Sequence, residues 1–169
     1  MALFTRRVKR IGTDRYRLSL PAEEADLLRA LLPQLRGLLA TGLSDNDPSL
    51  TRLFPTAYAN DPELDAGYQA LVRDELLEKR FASLDVIDEL LGEADAGPVK
   101  SEVDGEALSA WMRAVNDLRL VLGTRLDVGE DDDPADIDPE DPEAQAWAIY
   151  HYLGMLVSFI VDALAEELD

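Results

Sequence analysis

The stretch Trp-Met-Arg-Ala-Val-Asn-Asp-Leu-Arg-Leu-Val-Leu-Gly-Thr-Arg-Leu at 111–126 constrains the fold more than any other. Trp111, Val115, Leu118, Leu122 and Leu126 recur every three or four residues, which predicts one apolar stripe on a core helix. The same helix carries Arg113, Asn116, Asp117, Arg119 and Arg125. Some of these polar groups must lie beside the stripe, where each needs a partner. Two readings stay open. The set is either a structural network, with Asp117 or a neighbouring carboxylate paired to an arginine and locking helix register, or a partner-binding face.

Other elements follow from punctuation and periodicity. Residues 3–9 and 15–20 alternate apolar with polar or basic side chains around Gly12-Thr13-Asp14, predicting a β-hairpin. Pro21, followed by Glu23 and Glu24, opens a leucine-rich helix that Pro33 should kink and Gly42 should end. Asp47-Pro48 precedes a short helical piece over 49–54. Asp61-Pro62-Glu63 starts a helix to about Leu91, with Leu64, Tyr68, Leu71, Phe81, Leu84, Ile87 and Leu91 as candidate core. Val99 to Val103 alternates and could add a third strand, and Asp104 or Ser101 can cap the central helix. Asp141-Pro142-Glu143 starts a last helix to about Glu167, with Trp147, Tyr150, Leu153, Gly154, Val157, Val161 and Leu164 pointing inward. The expected fold is mainly α, a bundle of about four main helices with a small N-terminal β-hairpin. One domain is expected over 1–169: a basic hairpin at 1–20, a helical core at 21–126, an acidic flexible loop at 127–141 and a C-terminal core helix at 142–169.

Charge narrows the function. Hydrophobic residues at 47% and charged residues at 30% are globular proportions. The net charge of −19 argues against general binding to nucleic acid or anionic membrane. Its distribution is uneven: residues 1–17 hold a net +5, which leaves −24 for the rest. Arg6, Arg7, Arg10, Arg15 and Arg17 are therefore candidate contacts to phosphates or to an acidic partner, or else they neutralise the acidic body. A homodimer would double this patch. The acidic stretch 129–143 has no basic residue and should stay hydrated, exposed and mobile.

Chemistry finds little support. There is no cysteine, which removes disulfides, thiolate metal sites and thiol redox switching. The single histidine, His151, has Ala148 three residues before it, so the Glu-x-x-His pair of a di-iron bundle is missing. Asp131-Asp132-Asp133 lacks the glycine and terminal glutamate of an EF-hand loop. No nucleophile elbow or phosphate-cradling glycine loop occurs. His151, Ser158 and Asp162 form a polar seam too loosely spaced for a triad. The expectation is no enzyme, with no catalytic residue, cofactor or metal. The apolar run 144–161 is interrupted by Gln145, His151 and Ser158 and flanked by acids, so a core helix and a cytoplasmic protein without membrane contact are expected.

The block at 111–126 resembles the signature of an actinobacterial family of AosR-like oxidative-stress regulators, otherwise grouped as a domain of unknown function. Tyr-Arg-Leu-Ser-Leu-Pro-Ala-Glu-Glu-Ala-Asp-Leu-Leu-Arg (16–29), Leu-Phe-Pro-Thr-Ala-Tyr (53–58) and the last helix with Trp147 and Tyr150 fit it too. The resemblance implies a cytoplasmic protein often encoded near the ClpS adaptor and near genes of sulfur-carrier-dependent cysteine synthesis. It implies regulation of transcription under oxidative stress through a sigma factor, promoter DNA or both. The cysteine switch proposed for such regulators has no counterpart here. The alternative is a non-enzymatic adaptor linked to Clp-type proteolysis.

Overall fold

The computed structural model describes residues 5–42, 45–93, 95–133 and 136–166. Residues 3–4 of the expected hairpin and Glu167, the expected end of the last helix, lie outside them. Strands β1 (Val8–Gly12) and β2 (Arg15–Leu20) form the hairpin, and β3 (Val99–Val103) joins β2 antiparallel, giving the order β1-β2-β3. Val8, Tyr16, Leu18 and Leu20 point into the core while Arg15 and Arg17 alternate outward. That period-two pattern fixes the register, because a one-residue slip would expose the apolar face. Asp14 adopts the left-handed conformation the tight turn requires, at φ 58°.

Four helices complete the fold: α1 (Ala22–Thr41), α2 (Pro62–Leu91), α3 (Gly105–Arg125) and α4 (Ala144–Ala165). Pro21 lies just before α1 rather than inside it, and α1 continues through Pro33. The expected helical piece after Asp47 is a single 3₁₀ turn, Pro48–Leu50, capped by the Asp47 side chain. Asp61 caps α2 through Leu64 N–H at 3.0 Å, and Asp104 caps α3 through Ala107 N–H at 2.8 Å. The hairpin turn is fastened to that same helix start, because Gly105 N–H donates to Asp14 Oδ1 at 2.8 Å. A side chain at Gly105 would push that contact apart, since its Cβ would lie 2.6 Å from the same oxygen.

Helix α3 is the centre of the core. Trp111 and Val115 are fully buried, and Ala114, Asp117, Leu118 and Val121 are nearly so, because α2 and α4 cover it from different sides. Gly154 on α4 lets Arg119 approach closely: a Cβ there would sit 3.3 Å from Arg119 Nε. By length and composition alone α4 could cross a membrane. Here it packs on α3.

Two expected core sets need correction. On α4 the buried residues are Leu153, Leu156, Ile160 and Ala163, whereas Val161 is 45% exposed. Apolar residues surround this helix, so periodicity leaves its inward phase undetermined. On α2 the C-terminal half supplies Leu84, Ile87 and Leu91 as expected, but Leu64, Tyr68 and Leu71 are exposed. A helix of 30 residues is about 45 Å long and outruns the bundle beside it.

Candidate partner-binding surface

Four of the five hairpin arginines face carboxylates of the body. Arg7 makes a bidentate pair with Glu24 on α1, from Nε at 2.9 Å and Nη2 at 2.7 Å. Tyr152 on α4 donates its hydroxyl to the same carboxylate at 3.0 Å. The hydrogen bond to Glu24 raises the Arg7 pKa, and burial pushes the Tyr152 phenol up, with Glu24's charge adding to it. Arg10 lies over the Tyr16 ring and donates to Glu166 O at 2.5 Å, while Arg6 pairs with Glu166 at 3.0 Å. Arg15 and Arg17 share Glu102 on β3, at 2.5 and 3.3 Å. Together they hold the Glu102 carboxyl below its ordinary value, Arg15 most.

These contacts separate the five arginines by role. Arg7→Ala should cost about 2 kcal/mol of stability, since it strips a half-buried carboxylate of a charge-assisted pair. Arg15→Ala and Arg17→Ala should leave stability unchanged, because their pairs with Glu102 are solvent-exposed. Urea unfolding of the three variants measures the difference. An Arg7→Ala chain as stable as the wild type would refute a structural role for that pair.

The polar set of α3 divides among neighbours. Asp117 pairs with Arg80 of α2, whose other Nη donates to Leu53 O at 2.8 Å and whose guanidinium lies 5.2 Å from the Phe54 ring centroid. Burial pushes the Asp117 carboxyl above its ordinary value, and Arg80 opposes this without cancelling it. Arg113 donates to Ser83 Oγ at 3.1 Å. Arg119 turns the other way and lies over Tyr150 of α4, 5.2 Å from the ring centroid. Asn116 is half-buried, and Arg125 is exposed near the end of the helix. The five residues do not converge on one site. Sequence reasoning missed Arg80, although it falls in phase with Leu77, Leu84, Ile87 and Leu91. A cation on an apolar stripe was the signal.

The first half of α2 forms the exposed apolar surface. Leu71 is 83% exposed, Leu64 50%, Tyr58 42% and Tyr68 41%. Tyr58 and Tyr68 meet edge to face at 5.8 Å. Their loop is held in place: Asp65 Oδ1 accepts from Ala57 and Tyr58 N–H at 2.7 and 3.1 Å, and Gln69 donates to Pro55 O at 2.9 Å. Asp61 and Glu63 line the same groove, which no cation lines. The stretch 129–133 is exposed, with Asp132 accepting from Gly129 N–H at 2.6 Å. Among the described residues no group of histidine or acidic side chains could hold a metal ion. His151 stacks on Trp147 at 6.1 Å, and its buried Nε2 has no hydrogen-bond partner among the described residues.

Residues 1–164 match the family described as "Domain of unknown function (DUF2017)". The chain belongs to this family. It is 30% identical over 193 residues to the oxidative stress regulator AosR of Mycobacterium bovis, spanning 92% of this chain and 86% of the relative. The same figures hold for the oxidative stress regulator AosR of Mycobacterium tuberculosis H37Rv. A putative oxidative stress regulator AosR of Mycobacterium leprae is 29% identical over 198 residues, 95% of this chain and 89% of the relative. The likeness carried by 111–126 thus runs along nearly the whole DUF2017 chain. No solved structure matches it.

Proposed function

We propose that this protein is a non-enzymatic, stress-linked regulator that acts by holding a protein of the transcription machinery, a sigma factor in the first instance. The family's regulator names support the stress link. The observation that carries the mode of action is the groove at the start of α2, where two tyrosines and two leucines stand exposed beside Asp61 and Glu63. Contiguous exposed apolar surface with a charged rim is a protein-docking feature. Its acidic rim and the chain's −19 charge favour a basic amphipathic helix, of the kind DNA-binding proteins carry. Four of the five hairpin arginines already face carboxylates, so direct promoter contact is the weaker route. With no cysteine, the signal must arrive by a route other than thiol oxidation in this chain.

The test is titration calorimetry against the purified stress sigma factor of the same genome. Tyr68→Ala/Leu71→Ala should fold as the wild type does and weaken binding by about 30-fold or more. Equal binding by that variant, or no binding by the wild type, would reject the reading. Fluorescence anisotropy on the protein's own upstream DNA, with Lys9→Ala/Arg15→Ala/Arg17→Ala beside it, tests the other route. Steeply salt-dependent binding lost in that variant would transfer the role to promoter DNA. Binding instead to a Clp unfoldase would make the protein a proteolysis adaptor.

A further inference from the structure

A second opening, distinct from the α2 groove, lies between α1 and α3. Its volume is about 360 Å³, within the range of small-ligand pockets. Leu31, Leu35 and Leu38 wall it from α1, Leu118 and Leu122 from α3, and Leu153 of α4 closes the floor. Two features distinguish it from a packing gap. Gly37, near the C-terminal end of α1, borders the opening, and a Cβ there would meet nothing within 4 Å. Glycine inside a helix is a poorer helix former than alanine, so the missing side chain leaves the space open at a cost in helix stability. The second feature is charge. Acidic residues outnumber basic ones 35 to 16, yet among the described residues no acid lines this opening, and the one ionisable group there is Arg125. Arg125 makes no ion pair within 4 Å among the described residues. Asp47 feels its charge, but that carboxyl is held low chiefly by its hydrogen bonds from Ser49.

We propose that this cleft binds a medium-chain apolar acid, its hydrocarbon between α1 and α3 and its carboxylate at Arg125. The volume holds roughly twelve water-sized groups at about 30 Å³ each, the size of decanoate. Leucine walls supply the apolar contact, and the guanidinium fixes the orientation by a charge-assisted pair. Arg125 also offsets the negative C-terminal end of α3, which would otherwise repel an anion there. Such a site gives a chain without cysteine a small-molecule input, and it stands whether or not α2 holds a sigma factor.

Decanoate is the probe, titrated into the full chain by calorimetry and compared with decanol. The wild type should bind decanoate saturably and prefer it to decanol. Gly37→Leu should melt at or above the wild-type temperature and abolish binding, since leucine fills the opening and favours the helix. Thr41→Met, one turn further along the same face of α1, is the second blocking variant. Arg125→Gln should weaken decanoate about tenfold while leaving decanol unchanged. Undiminished decanoate binding in both filled variants would overturn the site. Equal affinity for decanol and decanoate would overturn the acid. If decanoate fails to bind and Gly37→Leu instead alters the sedimentation coefficient, the cleft belongs to a second copy of the chain and the proposal falls.

Discussion

Replacing Arg80 with leucine is expected to cost about 3–5 kcal/mol of folding stability, because it leaves the Asp117 carboxylate buried without its counter-charge. The Asp117 side chain is 7% exposed and its partner 20%, so water cannot take over the role. The loss spreads beyond the pair. Arg80 also supplies a donor to Leu53 O and lies on Phe54, joining the 50s loop to α2 and α3. The double variant Arg80→Met/Asp117→Leu should recover most of the loss, since removing both charges removes the desolvation penalty. Urea unfolding of both variants checks this. A cost below about 1 kcal/mol for Arg80→Leu would remove the pair from the core's essentials.

The pH dependence carries an independent sign. Asp117 has a folded pKa above its ordinary 3.8, so the folded chain binds this proton more readily than the unfolded one. Its contribution to stability is therefore fully present below 3.8 and is lost as pH rises through the folded value. In Arg80→Leu the charge of Arg113 still opposes the burial but the larger opposition from Arg80 is gone, so that folded value rises further. The gap between variant and wild type should then narrow from neutral to mildly acidic pH. A constant gap would mean that the loss comes from Leu53 and Phe54 rather than from the charge.

Trp111→Ala should cost about 3–5 kcal/mol, or about 10–15 °C in melting temperature for a chain of this size. Trp111 is fully buried on α3, and among the described residues no polar partner reaches its indole nitrogen. That orphaned donor makes the second substitution informative. Trp111→Phe loses volume but also removes a buried unsatisfied N–H, so its cost should be much smaller than that of alanine. Thermal unfolding of the pair separates packing from polarity. A phenylalanine variant as damaged as the alanine one would show that the indole nitrogen has a partner in solution.

The central helix was the most legible part of the fold. Trp111, Val115 and Leu118 define its buried stripe, and the caps Asp61 and Asp104 act where side-chain chemistry puts them. Val99 to Val103 could be read as a strand because alternation survives in five residues. Helix α4 hid its phase, since apolar side chains on every face give periodicity nothing to resolve. On α2 the sequence offered apolar residues throughout, but only tertiary length decides that Leu84 meets a neighbour and Leu71 does not. The site was harder to read. Arginines on a hairpin look the same whether they await phosphate or face Glu24, Glu102 and Glu166, which lie far away in sequence. The cleft was invisible, because Gly37 matters through a side chain it does not have.

The sheet also sets a timetable for the nascent chain. Strand β2 is its middle strand, yet the partner on one side arrives late: Arg15 and Glu102 are 87 residues apart. At a synthesis rate of about 5–20 residues per second, that edge of β2 stays bare for seconds after the hairpin emerges. A bare strand edge invites pairing with other chains, and charged residues along it discourage that. Arg15 and Arg17 alternate along β2 and have no Glu102 to neutralise them during that interval. The two arginines that contribute least to the finished fold are thus placed to keep the unfinished one apart from its neighbours.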